Sequence, residues 1–236
     1  MPAMRYRSPF TLCLLGASLL PLSAAAQSAV DTAGADLDTV TVTAPSAATK
    51  TQTPFIETPQ SVSSIDREQM DIRHVRSVRE AAEYTPGVYT NQVGASNRYD
   101  YLVMRGFSDG SLSNVYLDGL KLMGDTNGYS SMVIDPWFLE NVEIVKGPAS
   151  VLYGRSSPGG LVALTSKQPL FTPRHELQFS SGDHDRRSAA FDLSGPLGES
   201  RRVAYRLVGL GSKADTQFGP VEDERYAIMP SLTWDA

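Results

Sequence analysis

The hydrophobic positions change their spacing along the chain, and each change marks a boundary. Arg5 and Arg7 precede the run Thr11-Leu12-Cys13-Leu14-Leu15-Gly16-Ala17-Ser18-Leu19-Leu20, which Pro21 ends, and Ala24-Ala25-Ala26 then stands before Gln27. A basic flank, a short apolar run and a small-residue cleavage site describe a secretory signal peptide over 1–26. The run is too short to cross a hydrocarbon core about 30 Å thick. From Gln27 to Lys50 the pattern is replaced by Ala, Thr, Ser and Asp, which predicts a flexible leader. One island interrupts it. Asp38-Thr39-Val40-Thr41-Val42-Thr43-Ala44 alternates β-branched residues up to Pro45, the pattern of a short extended strand that can add to a sheet edge of another protein.

Over 51–168 the spacing is mixed. Asp66 with Gln69 three residues on, and the capping box Ser77-Val78-Arg79-Glu80 followed by Tyr84-Thr85-Pro86-Gly87, predict two short helices. Strand-like pieces at Tyr101–Met104, Val115–Leu117 and Val142–Val145 are separated by Gly-rich turns, and Asp135-Pro136 and Pro148 to Gly154 predict two further helical turns. Over 172–236 the period becomes two. Leu177 and Phe179, then Ala189, Phe191 and Leu193, then Val203, Tyr205 and Leu207, then Tyr226, Ile228, Leu232 and Trp234 alternate with polar neighbours. Joined by Ser181-Gly182-Asp183, by Gly195 to Glu199 and by an acidic stretch from Ala214 to Glu224, these segments fit antiparallel transmembrane strands. A soluble β-sandwich has the same alternation, so period alone leaves both open. About four strands fit, against roughly twenty-two for a transporter with a plugged lumen. The expectation is the beginning of a longer chain.

Charge and reactive residues narrow the function. The chain carries 21 Lys and Arg against 26 Asp and Glu, and loss of Arg5 and Arg7 with the signal peptide takes the net charge from −5 to −7. No basic stripe remains to hold nucleic acid. Cys13 is the only cysteine and leaves with the signal peptide, which excludes disulfides and thiolate chemistry after cleavage. His74, His175 and His184 are scattered without metal-ligand spacing, and Arg155-Ser156-Ser157-Pro158-Gly159-Gly160 lacks a nucleophile elbow. Neither a metal site, a catalytic set nor an enzyme is expected.

Six motifs follow in order: Thr58-Pro59-Gln60-Ser61-Val62, Glu80 to Val88, Arg105-Gly106-Phe107, Tyr116-Leu117-Asp118-Gly119-Leu120, Ile134-Asp135-Pro136, and Val145-Lys146-Gly147-Pro148 through Ser166-Lys167. Together they resemble the plug domain of TonB-dependent outer-membrane siderophore receptors. Val151 to Leu161 is similar to the hydroxamate branch, and Gly94-Ala95-Ser96-Asn97 and Tyr226-Ala227-Ile228 to ferrichrome-type receptors. The implied fold is an α+β plug domain, a small mixed β-sheet with short helices, followed by the first strands of a truncated antiparallel transmembrane β-barrel. The implied function is energy-coupled uptake of a ferric siderophore across the outer membrane, with a heme, cobalamin or polysaccharide receptor as the alternative. Asp38, Thr39, Val40, Thr41, Val42, Thr43 and Ala44 become the TonB box, and the partners are TonB, the siderophore and outer-membrane lipid. Iron is held by the siderophore, so no cofactor is implied.

The resemblance also assigns residues. Apical loops over 91–97, 108–113 and 125–131 place Val93, Gly94, Gly110, Ser111 and Tyr129 at the ligand. Val93 stands where ferrichrome-type plugs have an arginine, so a charge-assisted donor to hydroxamate oxygens is missing, and ferrichrome, another hydroxamate or a mixed-ligand siderophore stay open. Arg105 and Lys146 match a basic pair that latches the plug onto barrel glutamates, though lysine lacks the bidentate fork of arginine. Gln27 and Asp38 lie too close together to hold a further folded domain, so transport without a transcriptional role is expected.

Overall fold

The computed structural model describes residues 47–51, 53, 55–91, 100–107, 114–122, 132–198, 202–216 and 221–235. All of these lie in one compact unit, Val42–Ala236. The signal peptide and the expected TonB box, Asp38 to Ala44, fall outside the described residues.

Strand β1 (Ser61–Asp66) buries Val62 and Ile65. Asp66 then accepts from the Gln69 N–H at 2.8 Å and caps helix α1 (Arg67–Ile72) as its spacing predicts. Ser77 likewise accepts from the Glu80 N–H at 3.1 Å, capping α2 (Val78–Ala82). The reciprocal half of that box is displaced. The Glu80 carboxylate accepts from the Arg76 N–H at 2.8 Å and so braces the α1–α2 linker instead of the Ser77 amide. Short strands β2 (Val88–Tyr89) and β3 (Val103–Met104) pair with each other, and β4 (Val115–Leu117) turns into β5 (Leu120–Lys121). That hairpin turns on Asp118 (φ 49°) and Gly119 (φ 82°), the two left-handed positions of a type I′ turn. A 3₁₀ turn (Pro136–Phe138), capped by Asp135, leads into β6 (Leu139–Lys146), α3 (Ser150–Tyr153) and β7 (Gly160–Ser166).

The sheet order is β1-β6-β7-β4-β5, with β4 and β7 parallel and the other pairs antiparallel. On one face α1 and α2 press Met70, Val78, Ala81 and Ala82 onto Ile65, Leu139, Val142, Ile144, Val162 and Leu164. Val145, Leu161 and Tyr116 form the core of the other face under Tyr153 of α3. Each fully buried Leu or Ile here contributes about 1.5–3 kcal/mol relative to an exposed one. Two expectations are corrected. The strand expected over Tyr101–Met104 shrinks to Val103–Met104, and β1 and β7 appear where no strand was foreseen. β7 lies between β6 and β4 and is buried on both faces, so its sequence shows no alternation to read. At the end of the expected leader, Ala47 and Ala48 lie against the plug: the Ala47 N–H donates to Glu143 Oε2 at 2.6 Å and Tyr153 Oη donates to the Ala47 carbonyl at 2.8 Å.

Strands β8 (Arg174–Gly182), β9 (Arg186–Leu197), β10 (Val203–Asp215) and β11 (Glu222–Trp234) follow as an antiparallel meander in sequence order. Their lengths of 9, 12, 13 and 13 residues match the roughly 9–11 that a tilted strand needs to cross a bilayer. The acidic connection expected over Ala214–Glu224 is shorter, because Asp215 still pairs with Glu222. Orientation separates barrel from sandwich. Leu177, Phe179, Tyr226, Ile228, Leu232 and Trp234 are all exposed, whereas Asp192, Ser194, Ala204, Arg206 and Ser212 are buried. A soluble sheet does the reverse; an apolar outer face over a polar inner one is the pattern of a strand whose outer solvent is lipid. Gly209 belongs to this face, since a Cβ there would collide with the Phe191 ring. Tyr226 and Trp234 bound the band about 26 Å apart along β11, at ~3.3 Å per residue, where aromatic girdles sit. In the full-length protein Ile228→Arg, about 7 Å inside the band at ~3.3 Å per residue, is expected to destabilise the membrane-inserted state more than Trp234→Arg at its edge, between the about 2–4 kcal/mol of a midplane arginine and the about 0–1 of an interfacial one. Denaturant titration in lipid vesicles measures both, and equal costs would remove the depth gradient. Among the described residues no helix is long and apolar enough to cross a membrane, which does not bear on crossing by strands.

Candidate functional site

The sheet and the wall strands meet along a seam with three kinds of contact. The first is apolar. Trp137 and Phe138, delivered by the 3₁₀ turn, pack on Ala190 of β9 and Val208 of β10, with Leu210 and Met229 alongside, and Trp137 Nε1 donates to the Phe191 carbonyl at 3.3 Å.

The second is a buried ion triad. Lys167 follows β7, and its Nζ lies 2.9 Å from Asp192 Oδ2. Arg206 holds the same carboxylate from the other side, Nη2 to Oδ2 at 2.7 Å and Nε to Oδ1 at 2.9 Å, while its Nη1 donates to the Gln168 carbonyl at 2.8 Å. The three side chains are 1%, 0% and 2% exposed, so no water screens them. Lys167 also stands 4.1 Å over the Trp137 ring. Burial pulls the Lys167 amine below its ordinary range, against the opposing pull of Asp192.

The third contact centres on Arg225 of β11. Its Nη1 donates to the Arg76 carbonyl at 3.1 Å and reaches Asp135 at 3.4 Å, and its Nη2 pairs with Asp223 at 3.0 Å. Asp100 stands in the same cleft, accepting from the Arg79 N–H at 3.4 Å with one oxygen, while the other is buried without a partner among the described residues. Burial raises the carboxyl pKa of both Asp100 and Asp135. The cleft has a volume of about 180 Å³ and is lined by Arg79, Asp100, Asp183, His184, Arg186 and Arg225. A larger cavity of about 520 Å³ separates α1 from β8 and β9, with Asp71, His74, Gln178, Ser180 and Ser188 on its walls. A seam of this kind can fix one body against another and enclose polar space. Among the described residues no group of His, Cys, Asp or Glu is arranged to hold a metal ion.

Of the residues singled out from sequence, Val93, Gly94, Gly110, Ser111 and Tyr129 lie outside the described residues. Arg105 and Lys146 are both among the described residues. Arg105 is exposed at φ 51°, its N–H donates to the Gly87 carbonyl at 2.8 Å, and its Nη1 would stand 3.3 Å from a Cβ at Gly147, the neighbour of Lys146. Neither side chain has a carboxylate partner among the described residues, whereas Lys167, Arg206 and Arg225 all do. These three, with Asp192 and Asp135, were missed as site residues. A signal was present: Asp192, Arg206 and Arg225 are charges on the polar phase of strands whose other phase is apolar. Reading only the apolar phase passes over them.

A plug-like mixed sheet seated against an antiparallel wall with a lipid-type outer face defines a class, and comparison with known proteins agrees. Residues 54–161 match the family model of the TonB-dependent Receptor Plug Domain. The chain carries a TonB-dependent receptor plug domain. It is 64% identical over 199 residues to the Ferrioxamine B receptor of Salmonella typhimurium (strain SL1344), covering 84% of this chain and 28% of that receptor. With the Ferrichrome outer membrane transporter/phage receptor of Escherichia coli (strain K12) it shares 48% identity over 187 residues, 79% of this chain and 25% of that protein. Among solved structures, the ferric-catecholate import receptor Fiu of E. coli K12 in its open form superposes with a TM-score of 0.69 at 29% identity, covering 80% of this chain and 27% of that one. The chain thus spans about a quarter of the length of the curated relatives it matches. These relatives are receptors and transporters, not enzymes.

Proposed function

We propose that the full-length protein imports a ferric hydroxamate siderophore of the ferrioxamine type across the outer membrane, with energy delivered by TonB through Asp38 to Ala44. The observation that carries this reading is the 64% identity to a receptor named for ferrioxamine B, maintained over 84% of the chain. Val93 fits the same direction, because it removes the cationic donor expected beside a ferrichrome-type ligand. On this reading 1–26 is the signal peptide, 27–50 the leader with the TonB box, 51–168 the plug and 172–236 the first barrel strands. Gly94, Gly110, Ser111 and Tyr129 line the apical ligand site, Arg105 and Lys146 face carboxylates of the barrel, and the siderophore alone ligates iron. A large chelate cannot diffuse through a plugged lumen, and the outer membrane holds no gradient of its own. Work must therefore reach the plug from the inner membrane. The test is radioactive iron uptake by iron-starved cells with and without the full-length gene, supplied with ferric ferrioxamine B, ferrichrome, a ferric catecholate or heme. Uptake confined to the hydroxamates is expected; import of heme or catecholate alone would overturn the reading.

A further inference from the structure

The ion triad is unexplained by sealing alone. Replacing a buried ion cluster with apolar side chains of similar volume is often neutral or stabilising, because desolvation of the charges consumes much of their attraction. What ions add is a single permitted alignment: Asp192 meets Lys167 and Arg206 at 2.9 and 2.7 Å only if the residue after β7 is in register with β9 and β10. The surrounding bonds tie the same point. The Lys167 N–H donates to the Phe138 carbonyl at 3.0 Å, Leu170 N–H to Ser194 Oγ at 2.8 Å, and Arg206 to the Gln168 carbonyl. β1 is an edge strand separated from the central β7 by β6 alone, and Ser61 is level with Lys146 and Gly160, so Lys167 stands past the other end of β7. Pull arriving from the N-terminal leader reaches the plug first at Ala47, held by Glu143 of β6 and Tyr153 of α3, and then at β1, and the end of β7 must stay on the wall for that pull to act within the plug.

We infer that Lys167, Asp192 and Arg206 form a load anchor: positioning residues that keep the C-terminal end of the plug fixed to the barrel wall while TonB pulls on the N-terminal end. The inference rests on the TonB-coupled reading above. An anchor of this kind predicts a defect that depends on energisation, which a static structural role does not.

The test uses the full-length receptor in two otherwise identical strains, with and without TonB, iron-starved and supplied with ferric ferrioxamine B. The variants are Asp192→Asn and the triple Lys167→Met/Asp192→Leu/Arg206→Met, each checked for a folded barrel by heat-modifiable gel mobility. The readout is sensitivity to a glycopeptide antibiotic too large for passive pores. The expected result is a several-fold fall in the inhibitory concentration for the triple variant in the TonB-competent strain only. An equal fall in both strains would reduce the triad to a static seal and overturn the inference. So would no change in either strain while the wild type imports ferric ferrioxamine B. Failure of the wild type to import any hydroxamate would instead sink the parent reading, and the inference with it.

Discussion

Asp192→Leu in the full-length protein is expected to destabilise the plug–wall seam by about 3–5 kcal/mol, the cost of leaving buried charges without their partner. Lys167 and Arg206 are 1% and 2% exposed, and a leucine between them offers neither compensation nor room for water. Lys167 retains the Trp137 face, and Arg206 the Gln168 carbonyl and the more distant Glu140 carboxylate at 4.0 Å, so the loss falls mainly on the ammonium and guanidinium groups now facing each other across an apolar side chain. The triple replacement Lys167→Met/Asp192→Leu/Arg206→Met removes all three charges and is expected to recover most of that stability. Denaturant titration of the purified receptor, read by hydrogen exchange at the amides of β7 and β9, separates the two. If the single and triple variants lost equal stability, the cost would lie in packing and the electrostatic account would fail.

The plug was legible where local chemistry decides structure. Asp66 and Ser77 cap helices because their side chains compete for amides within three residues, and no distant partner is needed. The left-handed turn at Asp118-Gly119 is also local. β7 was not legible for a tertiary reason: six of its seven residues are buried, five of them in succession, and only the neighbours β6 and β4 make them a strand. Glu80 shows a smaller failure of the same kind, where the box motif is present but Arg76 N–H takes the carboxylate first. The wall strands were legible in period and not in orientation. Leu177, Phe179, Tyr226 and Ile228 alternate as a sandwich core would, and only the plug on the opposite face turns them toward lipid. The candidate site divides in the same way. Arg105 and Lys146 could be named from motifs, but Asp192 and Arg206 acquire roles only when segments 14 or more residues apart bring Lys167, Asp192 and Arg206 to one point, and Arg225 only when β11 meets Arg76 and Asp135.

Val40→Pro is expected to abolish energy-coupled uptake while leaving siderophore binding at the cell surface unchanged. The motivation is the alternation Asp38-Thr39-Val40-Thr41-Val42-Thr43-Ala44, a strand offered to the sheet edge of a partner. Strand addition draws its affinity from backbone hydrogen bonds, and proline removes one donor, fixes φ and restricts the residue before it. Val40 sits in the middle of the segment, so each remaining half is too short to pair well. Val40→Ala keeps the N–H and loses only β-propensity, at most about 1 kcal/mol, so it should retain uptake. The pair separates backbone from side chain: a coupling strand tolerates alanine and not proline, whereas a side-chain docking motif fails with both. Ligand binding is expected to be unaffected because the proposed apical loops are separate segments that begin some fifty residues after the coupling segment. The measurements are surface binding of radioactive ferric ferrioxamine B in the cold and its uptake at growth temperature, both normalised to receptor amount. Normal uptake by the proline variant would remove Asp38 to Ala44 from the coupling pathway.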